Sequence, residues 1–209
     1  MTKFNWVLDH GKFLSRNEVR RLLRVARGRA ERALALGQKI AVRDHFIVDL
    51  ALCTGLRVME IACLRCGDVW LSDGIGSLLV QRGKGGKRRL VLFGGPFARH
   101  CEQYLSWKQS VGEPVGPGDP LLRSSNTGGH LTTRAIQKAF KRCAAQAGLP
   151  ARYSIHSLRH TYACELYKAS GYNLRLVQKQ LGHSSIRTTE VYADVVNPDL
   201  MRALERLYR

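Results

Sequence analysis

Apolar residues recur at three- and four-residue steps through Val19, Leu22, Leu23, Ala26 and Ala30. That spacing predicts a helix, and Ser15 with Glu18 three positions on supplies a capping box at its start. The remainder of this helix carries Arg16, Arg20, Arg21, Arg24, Arg27, Arg29 and Arg32. The pattern predicts a second helix over about 41–53 and a third from near Arg57 that ends by Gly67. The stretches Ser77–Arg82 and Arg89–Phe93 then read as β-strands, and Gly83-Lys84-Gly85-Gly86 between them is turn chemistry, so the pair predicts a hairpin. An amphipathic helix follows over about 96–110, and then a Gly/Pro-rich loop from Val111 to Pro120. Thr132 or Thr133 caps a helix that runs to Gly148, and helical stretches are predicted at about 155–169, 173–181 and 186–193. Asn197-Pro198 opens a last helix, with Leu200, Leu204 and Leu207 on one stripe. The predicted class is mainly α with a small antiparallel β-sheet, an α+β fold without internal repeats.

Composition narrows the partner. The chain has 209 residues and 44% hydrophobic content, enough for one well-buried domain. Lys plus Arg exceed Asp plus Glu by 34 − 16 = 18, and that excess implies a polyanion, with nucleic acid ahead of a membrane surface. No apolar run approaches the roughly 20 residues of a bilayer span, and the N-terminus lacks a signal-peptide core, so a cytoplasmic location is expected. The six cysteines read as reduced, buried small hydrophobes. Cys63-Leu64-Arg65-Cys66 has no second pair at zinc-site spacing, which disfavours a metal or redox role.

Candidate chemistry lies in separate strings. Arg57 and Glu60 share a helical face just after Thr54-Gly55, so a carboxylate could hold the guanidinium while its other donors face a phosphate. A surface ion pair is the plainer alternative. His156 and Arg159 stand three apart, joining a group that titrates near neutrality to a permanently charged fork. His160 is expected to point elsewhere as a packed or hydrogen-bonded helix residue. A zinc pair of His156 and His160 is disfavoured, because Ser157 occupies the position where zincins carry glutamate. Gly182 gives a turn that can aim His183, and Tyr192 follows nine residues later. A phenol needs cations and a base around it to act as a nucleophile. The hairpin holds Arg82, Lys84, Lys87, Arg88 and Arg89, expected to contact DNA, and Lys84 between glycines is the candidate general acid.

Taken together, Thr54-Gly55-Leu56-Arg57-Val58-Met59-Glu60-Ile61, Arg82-Gly83-Lys84-Gly85, His156-Ser157-Leu158-Arg159-His160, Leu181-Gly182-His183-Ser184-Ser185 and Val191-Tyr192 resemble the catalytic domain of the tyrosine recombinases, the integrase and Xer-like strand-exchange enzymes. The resemblance implies a lead-in over 1–12, a catalytic domain over 13–196 and a C-terminal helix over 197–209 that is exchanged between protomers. It implies that Arg57, Arg159 and His183 grip the scissile phosphate and that Tyr192 attacks it, giving a 3′-phosphotyrosyl link. Lys84 would protonate the 5′-oxygen, with His156 as the acid/base partner of the tyrosine and Glu60 in support. No cofactor, ATP or metal is expected. The expected partners are double-stranded DNA and a homotetramer on two sites, monomeric when free, with accessory DNA-binding proteins. Relatives usually carry a helical core-binding domain upstream, so the chain is expected to be either a catalytic fragment or similar to minimal recombinases that invert promoter segments. The alternatives are a type IB topoisomerase-like relaxing enzyme and a catalytically silent DNA-binding regulator.

Overall fold

The computed structural model describes residues 10–72, 75–81 and 88–195, and only the backbone of His10, Asp194 and Val195. The hairpin tip with Arg82, Lys84 and Lys87, and the predicted helix over 197–209, lie outside the described residues.

Helix α1 (Arg16–Ala35) starts at the capping box, with the Ser15 side chain accepting from the Glu18 N–H and the Glu18 carboxylate accepting from the Ser15 N–H. Its buried stripe of Leu22, Ala26, Ala30 and Ala33 packs on α2 (Ile40–Thr54). Helix α2 is apolar on almost every side, burying Val42, Phe46, Ile47, Val48, Leu50 and Ala51, and is the axis of the domain. Packed around it are α1, α4 (Gly95–Ser110), α5 (Thr133–Gln146) and α6 (Ile155–Ala169). Short α3 (Val58–Ala62) leads into β1 (Val69–Ser72), β2 (Ile75–Val80) and β3 (Arg89–Gly94), one antiparallel sheet in the order β1-β2-β3. The register runs from Ile75 with Gly94 to Val80 with Arg89, so the two predicted strands pair antiparallel. Two further helices, α7 (Leu174–Leu181) and α8 (Arg187–Val195), close the described chain.

Helix α3 stops at Ala62, ahead of the predicted bound at Gly67, and strand β1 falls where no element is predicted. Asp68 accepts from the Arg65 N–H at 2.9 Å and from the Gln81 side chain at 2.8 Å, which favours a turn over another helical turn. Gly67 also lies flat on the loop at Pro117, where a Cβ would come within 2.8 Å of backbone.

Two cores result. The larger joins α1–α6 and the sheet; the smaller, of Ala163, Cys164, Tyr167, Val177, Leu181 and Tyr192, lies between α6, α7 and α8. Buried charges in the larger core are paired: Asp44 takes Arg29 and Arg142, and Glu113 takes Arg43 and Lys108. All six cysteines are free; Cys63 is exposed and Cys53 half-buried, so burial describes only the other four. Among the described residues no helix is long and apolar enough to cross a membrane.

Candidate active site

The site forms where the end of α2, the start of α3 and the end of α7 meet. Helix α2 ends at Gly55, whose φ of 61° turns the chain away. A Cβ there would fall 2.3 Å from the Tyr162 ring. Arg57 follows in extended conformation and precedes α3, so Glu60 one turn on folds its carboxylate back. Each Glu60 oxygen accepts twice: Oε1 from Arg57 Nη1 at 2.9 Å and Arg89 Nη1 at 2.8 Å, Oε2 from the Arg57 N–H at 2.8 Å and Arg89 Nη2 at 2.9 Å. Burial alone would raise the Glu60 pKa, but the hydrogen bonds from Arg89 and Arg57 and the Arg89 charge outweigh it and hold the group below its ordinary value.

Arg159, buried on α6, donates through Nη1 to the Gly55 carbonyl and through Nη2 to the Leu181 carbonyl at 2.9 Å. It thereby ties the end of α2 to the end of α7. Its Nη2 also lies 3.0 Å from His183 Nε2. An arginine only donates, so Nε2 is the acceptor and the proton of a neutral ring sits on Nδ1, 3.0 Å from Thr189 Oγ1. Burial, then the charges of Arg159, Arg57 and Arg89, lower the His183 pKa to about 4, in accord with a neutral ring. Burial and the nearby Arg57 lower Arg159 to about 10, still charged at neutral pH.

The Tyr192 hydroxyl lies 3.1 Å from His160 Nδ1. The expectation that His160 points elsewhere is therefore corrected: His156 and His160 are four residues apart, share a face of α6, and meet edge to face with ring centroids 4.5 Å apart. His160 makes the hydrogen bond to the phenol, and exposed His156 stands on its outer side. Burial first, then the charges of His156, Arg159 and Lys12, lower the His160 pKa to about 4. Burial raises Tyr192 to about 12 even though Arg159 and Arg57 pull it down.

Residues 12–197 match the sequence profile of the phage integrase family. The chain belongs to that family. Tyrosine recombinase XerC of Neisseria meningitidis serogroup B is 38% identical over 156 residues, which cover 75% of this chain and 49% of the relative. Tyrosine recombinase XerD of Oceanobacillus iheyensis is 33% identical over 187 residues, covering 90% of this chain and 59% of the relative. The chain thus spans about half the length of the curated relatives it matches. Among solved structures, the XerA recombinase superposes with a TM-score of 0.74 at 26% identity, covering 100% of this chain and 66% of that one. The XerH site-specific recombinase bound to difH substrate, in a pre-cleavage complex, gives 0.73 at 28% identity over 92% of this chain and 53% of that one.

In this phage integrase family chain, Arg57, Glu60, His156, Arg159, His183 and Tyr192 lie in one connected cluster. Arg88 is exposed on the arm that leads to the tip. Arg89 is placed differently from a tip residue: its side chain is 13% exposed, paired with Glu60, and packed where a Cβ on Gly182 would meet it at 2.6 Å. Sequence reasoning gave no role to Thr189, the partner of His183, or to Lys12 and Arg152, which line a cleft with His156 and His160. Strand alternation was the signal for Arg89, since it sets this side chain on the same face as buried Val91 and Phe93.

Proposed function

We propose that the chain is a site-specific tyrosine recombinase that cleaves and rejoins double-stranded DNA through a 3′-phosphotyrosyl intermediate. One observation carries this reading. Arg57, Arg89 and Arg159 surround a single carboxylate, Glu60, so the cluster holds three positive charges and one negative, 3 − 1 = +2. The acceptors of Arg159 are two carbonyls and a neutral imidazole, none of which cancels its charge. A buried cation without a counterion is costly, and an entering phosphodiester supplies one.

Tyr192 Oη attacks phosphorus, its proton passes to neutral His160, and the bond to the 5′-oxygen breaks. His156 beside His160 serves as the second acid/base group and hands the proton to solvent. Lys84 protonates the departing 5′-oxygen. Negative charge beside His183 raises its pKa, so Nε2 takes up a proton and donates to one of the two non-bridging oxygens, which Arg57 and Arg159 also bind. A 5′-hydroxyl from another strand reverses the steps and frees Tyr192. Phosphoester replaces phosphoester throughout, so ATP is not consumed, and fixed guanidinium charge serves where a catalytic metal otherwise would. Arg82, Lys87 and Arg88 track the flanking backbone. The working assembly is four subunits on two DNA sites, linked through 197–209, with the free protein monomeric and cytoplasmic and accessory DNA-binding proteins setting the outcome.

The test is incubation with a pool of nicked duplexes of randomised sequence, whose cleavage releases a short strand and traps the adduct. A protein–DNA complex that survives denaturing detergent is expected. If no duplex in the pool yields one, the reading fails.

A further inference from the structure

A second constellation lies on the α2–α4 side of the domain, and the proposed strand chemistry uses none of its side chains. Among the described residues, His45, Asp49 and His100 form a group of three potential metal ligands whose donor atoms all lie within 4.8 Å of one another. His45 and Asp49 are four residues apart on α2, so one turn of helix presents both in the same direction. His100 reaches across from α4, its Nδ1 2.6 Å from Asp49 Oδ2 and its ring centroid 4.4 Å from that of His45. One helical turn beyond Asp49, Cys53 brings Sγ to 3.5 Å from Asp49 Oδ1. All four side chains are half-buried and line an open cleft, so they are fixed by packing yet reachable from solvent.

We propose that His45, Asp49 and His100 form a binding site for a divalent transition metal of the zinc class, with Cys53 or a water completing the shell. Two imidazoles and a carboxylate, with a thiol in reach, are a donor set suited to zinc and poorly suited to the oxygen-seeking magnesium or calcium. Tetrahedral coordination at about 2.0–2.2 Å places ligand atoms roughly 3.3 Å apart. Side-chain movements of up to about 1.5 Å (4.8 − 3.3) therefore suffice, opening the His100–Asp49 contact and drawing in His45. Arg27 and Arg99 line the same cleft and oppose an added cation, while Asp49 and Glu31 offset them. A bound ion would staple α4 to α2, the helix whose last turn offers the Gly55 carbonyl to Arg159. Its role is to brace the scaffold and not to enter strand cleavage.

The plain alternative is a His100–Asp49 hydrogen bond with His45 stacked on it, and it predicts no metal affinity. The deciding experiment is titration of the chelator-stripped full chain with zinc at pH 7.5, followed by calorimetry and, with cobalt substituted, by visible d–d absorption. One equivalent is expected at micromolar affinity or tighter, with a higher unfolding temperature. His45→Ala, and the milder His45→Gln, should weaken binding at least tenfold, as should His100→Ala, with far-ultraviolet dichroism unchanged. Cys63→Ser/Cys66→Ser should bind like the parent. No saturable binding, binding that survives His45→Gln together with His100→Ala, or binding lost with Cys63 and Cys66 would each overturn the site.

Discussion

Tyr192 and His160 carry the sharpest expectations for single residues. With the phenol at about 12 and the imidazole at about 4, the hydrogen-bonded proton stays on oxygen in the free protein. His160→Ala should therefore slow adduct formation more than His156→Ala, because only His160 touches the hydroxyl. Equal effects, or a larger one at His156, would reverse the roles. Lys84→Ala should slow cleavage of a normal 5′-oxygen leaving group, and a 5′-bridging phosphorothioate should restore much of the rate, since a thiolate departs without a proton. An unrescued Lys84→Ala would remove it from the general-acid role. Which residue of His156 and His160 meets Tyr192 could not be read from the chain. It depends on how α8 crosses α6, and no local spacing records that angle.

Glycine decides the geometry of two elements. Gly182 ends α7 with φ of 65°, and an added Cβ would fall 2.6 Å from Arg89 Cδ and 2.7 Å from its Nε. Gly182→Ala should cost about 1–3 kcal/mol in urea unfolding, from left-handed backbone strain and from overpacking. It should also displace Arg89 from Glu60 and so impair cleavage beyond the stability loss. Wild-type stability and activity in this variant would contradict the packing. Arg89→Lys should keep the charge but lose the paired donors that Glu60 meets at 2.8 and 2.9 Å, lowering the cleavage rate with DNA affinity little changed. Helical period and caps made most helices legible, as at Ser15 and Thr132. The hairpin was legible too, through its glycines. Strand β1 was not, because its four residues pair only with β2 and its start is set by the distant contact of Gly67 with Pro117. Nor was the burial of Arg43 and Lys108, which depends on Glu113 across a loop.

For the whole molecule, a net charge of +18 would make the proposed DNA binding a counterion-release process. Affinity should fall by orders of magnitude as salt rises severalfold, and affinity flat over that range would disconnect the charge from DNA. Removal of 197–209 should abolish cooperative assembly on DNA while leaving a folded chain that binds; unfolding on deletion would show the segment packing within its own subunit. Stability should also depend on pH with a definite sign. His160 and His183 titrate at about 4 in the folded chain against an ordinary 6.5, so above 6.5 their contribution is complete. Between 6.5 and 4 the unfolded chain takes protons that the folded one refuses, and stability declines. Unfolding temperature measured over that window should drop, and less steeply in His160→Gln and His183→Gln. An unchanged slope in both variants would mean that these rings are not buried as described.

In the proposed reaction three cationic strings gather around one phosphate and a single phenol attacks it. The most direct measurement is proteolysis of the trapped protein–DNA adduct and mass spectrometry of the nucleotide-bearing peptide, with Tyr192→Phe as the paired control. A 3′-phosphoryl modification is expected on Tyr192, and for Tyr192→Phe no adduct with DNA affinity nearly unchanged. A modification on Tyr172 or any other residue, or an adduct that persists in Tyr192→Phe, would contradict it.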